Sequence, residues 1–260
     1  MGWGQKMLKK CLILALYLVS IQSWSLTLAV GWELWYPYQY HNKQQQLAGL
    51  DFDIFNAVVK EAGLDVTYTE IPWKRHLHYI KTGKMDIAMG SSYTKERDKY
   101  AYFTAPYRQE VVKLFVKKGM VSSIKLSSLS DLVNSPYMLG VESGYYYGDE
   151  YHKLIQQVSF QEHISEVIDI EENITLLMEG HLDGILVDPV TMKAFTKKYK
   201  MQDEFEPHPL EVYQTDIHIM ISKASCSLAM ANNIDQAIQR LKEKGQIERI
   251  IAQWSLASPP

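Results

Sequence analysis

Short apolar runs alternate with stretches of helical period along this chain, and the whole alternation occurs twice. SLTLAVG (25–31) reads as a strand, and GWELWYPYQY (31–40) as an aromatic loop at its end. From Gly49 to Ala62, Phe52, Phe55, Val58 and Val59 fall at helical spacing, with Gly63 as the stop. DVTYTEI is a second strand, Pro72 to Lys81 a helix stopped by Gly83, and MDIAMG a third strand. Such alternation predicts an α/β architecture with a largely parallel sheet. The pattern then restarts. VVKLFVKK is a strand, SSLSDLVN a serine-capped helix, YMLGVESG a strand into a glycine turn, ENITLLMEG a helix and LDGILVD a strand. VYQTDIHIMISK forms a second long strand, and two helices close the chain over 230–254. The second unit is therefore inserted before the last piece of the first. The reading is an α/β fold of two lobes, with 26–112 and 216–260 in lobe 1 and 113–215 in lobe 2. Two strands, Glu110–Lys117 and Val212–Lys223, cross between them and form the hinge.

Ahead of this pattern, Lys6, Lys9 and Lys10 precede the apolar run CLILALYLV, followed by Ser23 and Ser25. A basic segment, a short apolar core and small residues make a secretory signal cut after Ser25. The run is too short to span a bilayer, which takes about 20 apolar residues. The mature chain is thus expected to be soluble in the periplasm. Only Cys226 remains in it, so no internal disulfide forms. The formal net charge is −3, and losing the signal removes three lysines and no acid. No basic run offsets this, which argues against nucleic acid as a partner.

Two lobes with two crossings leave a cleft, and in open α/β sheets ligands sit beyond the carboxyl ends of strands. Three polar or aromatic loops occupy such ends: Trp32–Tyr40, Gly90–Arg97 and Glu142–Tyr147. In GSSYTKER, Gly90 lets a backbone approach closely and offers a free N–H, Ser92 and Thr94 supply hydroxyls, and Thr94 is placed to cap the helix carrying Arg97. Arginine is a poor residue for the positive end of a helix unless something negative sits there. Its planar fork matches a carboxylate. The same spacing also suits a capped helix with a surface arginine paired to Glu96 or Asp98. Asp188 ends the strand GHLDGILVD, where it could take a ligand ammonium, cap the helix starting at Pro189, or do both. A ligand satisfying Arg97 and Asp188 together would be an α-amino acid. Trp35 and Trp73 are read as cleft walls, with Tyr145 beside Gly144; for Tyr36 and Tyr38 the pattern does not decide between wall and core.

The YPY loop, GLDFDIFNAV, the PW before a helix, GKMDIAMGSSYTKER, YFTAPY and GHLDGILVD together resemble the bacterial extracellular solute-binding proteins of the polar amino acid type. These are periplasmic partners of ABC importers, and the resemblance spans the chain after the signal. It implies a hinged, two-lobed periplasmic-binding-protein-like fold that closes on its ligand, and a monomer serving an ABC permease in the inner membrane. It also implies that Arg97 with Ser92 binds the ligand carboxylate, Gly90 offers backbone polar groups and Asp188 takes the ammonium. Trp35 and Trp73 match places where the family packs ligand side chains. The family often has Gly-Thr where this chain has Gly144-Tyr145, which puts a carboxylate contact in doubt and narrows the pocket.

Two other readings stand beside this one. The fold also hosts dehydratases acting on cyclic, prephenate-like acids (cyclohexadienyl dehydratases), which need a cleft carboxylic acid; Glu142 or Glu150 are the candidates. A sensor subunit presenting ligand to a membrane receptor would have the same cleft. No Gly-x-Ser-x-Gly, HExxH or phosphate loop is present, and His76 and His78 point to different sides of a helix. Neither a catalytic residue nor a metal or cofactor is expected.

Overall fold

The computed structural model describes residues 27–256, so the proposed signal lies outside the described residues. In chain order the elements are β1 (Thr27–Trp32), β2 (Tyr40–His41), β3 (Leu47–Ala48), α1 (Leu50–Ala62), β4 (Asp65–Glu70), α2 (Trp73–Thr82), β5 (Ile87–Ser92), α3 (Lys95–Asp98), β6 (Ala101–Phe103) and β7 (Arg108–Lys117). After a 3₁₀ turn at Leu129–Asn134 come β8 (Leu139–Glu142), α4 (Gly148–Leu154), α5 (Val158–Gln161), β9 (Ile164–Val167), α6 (Ile170–Glu179), β10 (Gly184–Val187), α7 (Pro189–Tyr199), β11 (Phe205–Ser222), α8 (Leu228–Glu243) and α9 (Gln246–Leu256).

One sheet runs through the molecule in the order β4-β1-β5-β11-β7-β10-β8-β9, with β6 also paired to β11. The outer strands are parallel: β1 to β4 and β5, and β8 to β9 and β10. The central strands are not. β11 runs antiparallel to β5, β6 and β7, and β7 antiparallel to β10. The sheet is therefore mixed rather than largely parallel, because the two crossing strands must enter and leave the second unit in opposite directions. β11 is the long one, at 18 residues. Its register shifts between Pro207 and Glu211, between Glu211 and Tyr213, and between His218 and Met220.

Each half of the sheet is covered on both faces, as strands buried on both sides require. Under α1, α8 and α9, Val30, Ile54, Phe55, Ile219 and Ile238 form one core. On the opposite face, Ile80 of α2 packs with Ala88 and Met220. In the second half, the period-two alternation of a strand sends Ile185 to the core with Leu177 and Phe195, and Leu186 to the core with Leu132 and Leu139. SSLSDLVN carries the Ser128/Asp131 capping box but makes only a 3₁₀ turn, ended at Ser135. No helix among the described residues is long and apolar enough to cross a membrane.

Candidate functional site

The loops at the ends of β1, β5 and β8 meet at the sheet's centre. There Glu33, Trp35, Trp73, Gly90, Ser92, Arg97, Glu110 and Tyr145 line one cavity, with Gln39, Met89 and Tyr146. The cavity measures only about 10 Å³, room for about one water molecule. The side chains must part to admit anything larger.

Arg97 sits on α3, a four-residue helix whose first turn is closed by Thr94, its Oγ1 accepting from the Arg97 N–H at 3.0 Å. That short helix turns the guanidinium inward. It is 7% exposed, donates from Nη1 to the Ser92 carbonyl (3.0 Å) and from Nη2 to the Gly144 carbonyl (3.2 Å), and lies 5.6 Å from the Trp73 ring. The surface alternative is excluded by the neighbours: Glu96 pairs with Lys99, and Asp98 with Lys223 at 3.7 Å. No carboxylate pairs with Arg97 among the described residues.

Gly90 plays a different part from the one expected. Its N–H is not free but donates to the Tyr107 hydroxyl at 2.9 Å. Its φ is +71°, and a Cβ there would lie 2.9 Å from both Asp51 Oδ2 and Trp35 Cζ3. Glycine is required so that Asp51 and Trp35 can close in on the strand. Asp51 is fully buried and forms a bidentate pair with Arg108, at 2.7 Å from Nε and 3.0 Å from Nη2. The Arg108 guanidinium stacks on Tyr38, 3.9 Å from its centroid, while Nη1 has no hydrogen-bond partner among the described residues.

Asp188 is buried too, but it does not line the cavity. Its carboxylate caps α7, accepting from the N–H groups of Val190 (2.8 Å) and Thr191 (2.9 Å), and it accepts from the Tyr38 hydroxyl at 3.1 Å. Three donors already occupy the group expected to take an ammonium. Thr94 likewise serves its helix and stays out of the lining. Tyr38 lies beneath the cavity wall and Tyr36 packs on Tyr40, so neither lines it. Trp35 and Tyr145 meet edge-on with centroids 5.3 Å apart.

The two acids of the cavity lining, Glu33 and Glu110, are not singled out by the sequence, whereas Glu142 and Glu150, which are, lie off the lining. Glu33 accepts from the Trp73 N–H at 2.8 Å; burial pushes its carboxyl up to about 7, against that hydrogen bond and with help from Asp169. Glu110, on the face of β7 shared with Arg108, is pushed by burial to about 8, with Asp188 and Asp51 adding to the rise and Arg108 opposing it. Burial also holds Glu142 well above the carboxylate range, with Glu33 and Asp169 next in effect. Glu150 is exposed on α4. Of the two histidines on α2, His76 is buried with Nε2 3.2 Å from the Ile87 carbonyl, and His78 is exposed.

These carboxyls bind protons more tightly folded than unfolded, so they make stability fall as pH rises from their ordinary value, 4.5, through about 7 and 8. His76, lowered to about 4 by burial, acts oppositely and only below about 6.5. Between pH 6.5 and 8 the carboxyls act alone of these three. The melting temperature is expected to drop across that interval, reflecting a loss of about 2 kcal/mol of stability from Glu110. The Glu33→Gln/Glu110→Gln double variant, followed by circular dichroism, should show a smaller drop, Glu142 being raised as well; a drop of unchanged size would remove this assignment.

The profile of the bacterial extracellular solute-binding proteins, family 3, matches residues 28–257. The chain belongs to this family. Curated relatives of this solute-binding protein include the ABC transporter arginine-binding protein 1 of Escherichia coli (strain K12), 22% identical over 222 residues, 84% of this chain and 86% of the relative. Another is the L-cystine-binding protein TcyJ of the same strain, 22% identical over 88% of this chain and 82% of the relative. Among solved structures, an ancestral arginine-binding protein bound to glutamine superposes with a TM-score of 0.73 at 23% identity, covering 88% of this chain and 97% of its own. A histidine kinase sensor domain similar to periplasmic binding proteins reaches 0.75 at 17% identity, covering 88% and 95%. At such identities the structural likeness shows the fold, the two-lobed fold of periplasmic binding proteins, and the solute-binding protein's own residues must say what it holds.

Proposed function

We propose that this protein, exported by its N-terminal signal, captures an α-amino acid between two lobes and delivers it as a monomer to an ABC permease in the inner membrane. The lobes are 26–112 with 216–260, and 113–215, hinged on β7 and β11. One observation carries the reading: a buried arginine, Arg97, faces the cleft with only neutral carbonyl oxygens as hydrogen-bond partners among the described residues. A buried guanidinium gains most from a carboxylate that takes both arms of its fork. The relatives named for arginine and cystine binding support the ligand class.

Asp188 holds the lobes rather than the ligand, through Tyr38. Glu110 lies on the lining beside it and takes the ligand ammonium, which in turn ionises its carboxyl. Closure brings together the groups that bridge the halves: Tyr38 with Asp188, Arg97 with the Gly144 carbonyl, Lys74 with Glu166 at 3.5 Å, and Lys198 over Tyr36. A ligand that replaces the Gly144 carbonyl on Arg97 while touching both lobes shifts the population toward the closed state.

A thermal-shift screen against the twenty amino acids, simple amines and small carboxylic acids tests this. Ligand at 100 times its dissociation constant adds about 2.7 kcal/mol, a rise of roughly 5–10 °C for a chain of this size. At least one amino acid should produce it, and simple amines should not. Silence to every amino acid would overturn the reading. The carboxyl of Glu33, which lines the cavity and is pushed up by burial to about 7, favours one second reading, a dehydratase of cyclic acids that uses a cleft carboxyl as general acid. Turnover of prephenate, followed by the appearance of an aromatic product, would establish it in place of simple binding.

A further inference from the structure

The inner cavity is not the only space in the cleft. Past Glu33 and Trp73, which line both, it continues into a groove of about 490 Å³. One wall is the start of α2, with Lys74, Arg75 and His78; the other is Ser143 and Ile168 from the loops after β8 and β9. This is the size of a small-molecule site, whereas 10 Å³ is not. Ile168 is 72% exposed there, a branched apolar side chain turned to solvent at the lip.

The groove lining is mostly apolar, and its charged groups are Lys74 and Arg75 against one acid, Glu33, with Asp169 near enough to raise Glu33. Lys74 is partly neutralised by Glu166, but the Arg75 guanidinium has no hydrogen bond or ion pair among the described residues. The first turn of α2 holds two cations and no acid, the reverse of what the helix dipole favours, so an anion outside it would gain from both. Its foremost N–H, that of Trp73, is already taken by Glu33. The anion therefore belongs out in the groove, opposite Arg75 and His78.

Building on the amino-acid reading above, we propose that the groove holds the side chain of the ligand whose α-carboxylate Arg97 takes, and that this side chain is long and ends in an anion. The chemistry is that of a γ-glutamyl dipeptide. Its α-amino carboxylate meets Arg97 and Glu110, its amide passes Glu33 at the neck along the Trp73 face, and its terminal carboxylate reaches Arg75. Glu33, at the neck between cavity and groove, donates to the amide carbonyl when it carries its proton.

Calorimetry with L-glutamine, L-glutamate and γ-L-glutamylglycine, on the wild-type protein and on Arg75→Glu, tests it. γ-L-Glutamylglycine should bind at least tenfold more tightly than glutamine. Arg75→Glu should weaken the dipeptide at least tenfold and leave glutamine within about twofold; Arg75 is exposed, so folding should be unchanged by melting temperature. Equal or tighter binding of glutamine, or a dipeptide affinity indifferent to Arg75→Glu, would overturn the inference while leaving the amino-acid reading intact. Silence to these probes and to all twenty amino acids would overturn both.

Discussion

Replacing Arg108 with alanine is expected to lower the unfolding free energy by about 3–5 kcal/mol. The Asp51 carboxylate is fully buried, and Arg108 supplies both of its charge-assisted hydrogen bonds. Without the guanidinium an uncompensated charge remains in the core beside Gly90, whose backbone has no side chain to turn toward it. The stacking on Tyr38 is lost as well. Chemical denaturation measures this directly. Removing both charges together, as Asp51→Leu/Arg108→Met, should cost less than Arg108→Ala alone, because most of the penalty is the orphaned partner. A loss below about 1 kcal/mol in the single variant would show that the pair contributes little.

Arg97→Ala should act on binding instead. Two charge-assisted bonds to a ligand carboxylate, at about 1.5–3 kcal/mol each, amount to at least a hundredfold in affinity. The protein should still fold, since Arg97 leaves behind only carbonyl oxygens that water can reach in the opened cleft. Arg97→Lys keeps the charge and loses the fork, and should recover only part of the affinity. Calorimetry against the amino acid found by the thermal screen decides the matter. Affinity within tenfold of wild type in the alanine variant would end the carboxylate-receptor assignment.

Much of this architecture is legible in the sequence because burial there follows the periodicities of strand and helix. The apolar spacing of 50–62 and the glycine stops at Gly63, Gly83 and Gly180 correspond to the ends of α1, α2 and α6. The direction of strands is less legible, since β7 and β11 show the same apolar pattern whichever way their neighbours run. Within the site, GSSYTKER displays its chemistry because an arginine at a helix start conflicts with the dipole. Glu33 and Glu110 display none: Glu33 is one acid at a strand end where alternation suggests a solvent-facing position, and Glu110, though on the apolar face of β7, reads as an acid at the strand's edge until the fold buries it. Asp51 is hidden in the same way, reading as an ordinary acid in a helix first turn. Asp188 could be read as cap or as ligand contact, and the fold gives it the cap and Tyr38. The likeness to known binding proteins narrowed the fold far more than it narrowed the ligand.

The place of β11 in the chain bears on how the protein is made. It is the neighbour of β5, β6 and β7, yet it begins only at Phe205, after all three have been synthesised. Until then β5 and β7 each present a strand edge with apolar side chains and no partner on that side, and α8 and α9, which roof the first core, follow later still. Pairings between residues so distant in sequence form slowly and leave such edges open to other chains meanwhile. A chain emerging from a ribosome or a membrane channel would therefore be most prone to stick to its neighbours just before β11 appears, and would depend on whatever escorts it until that point.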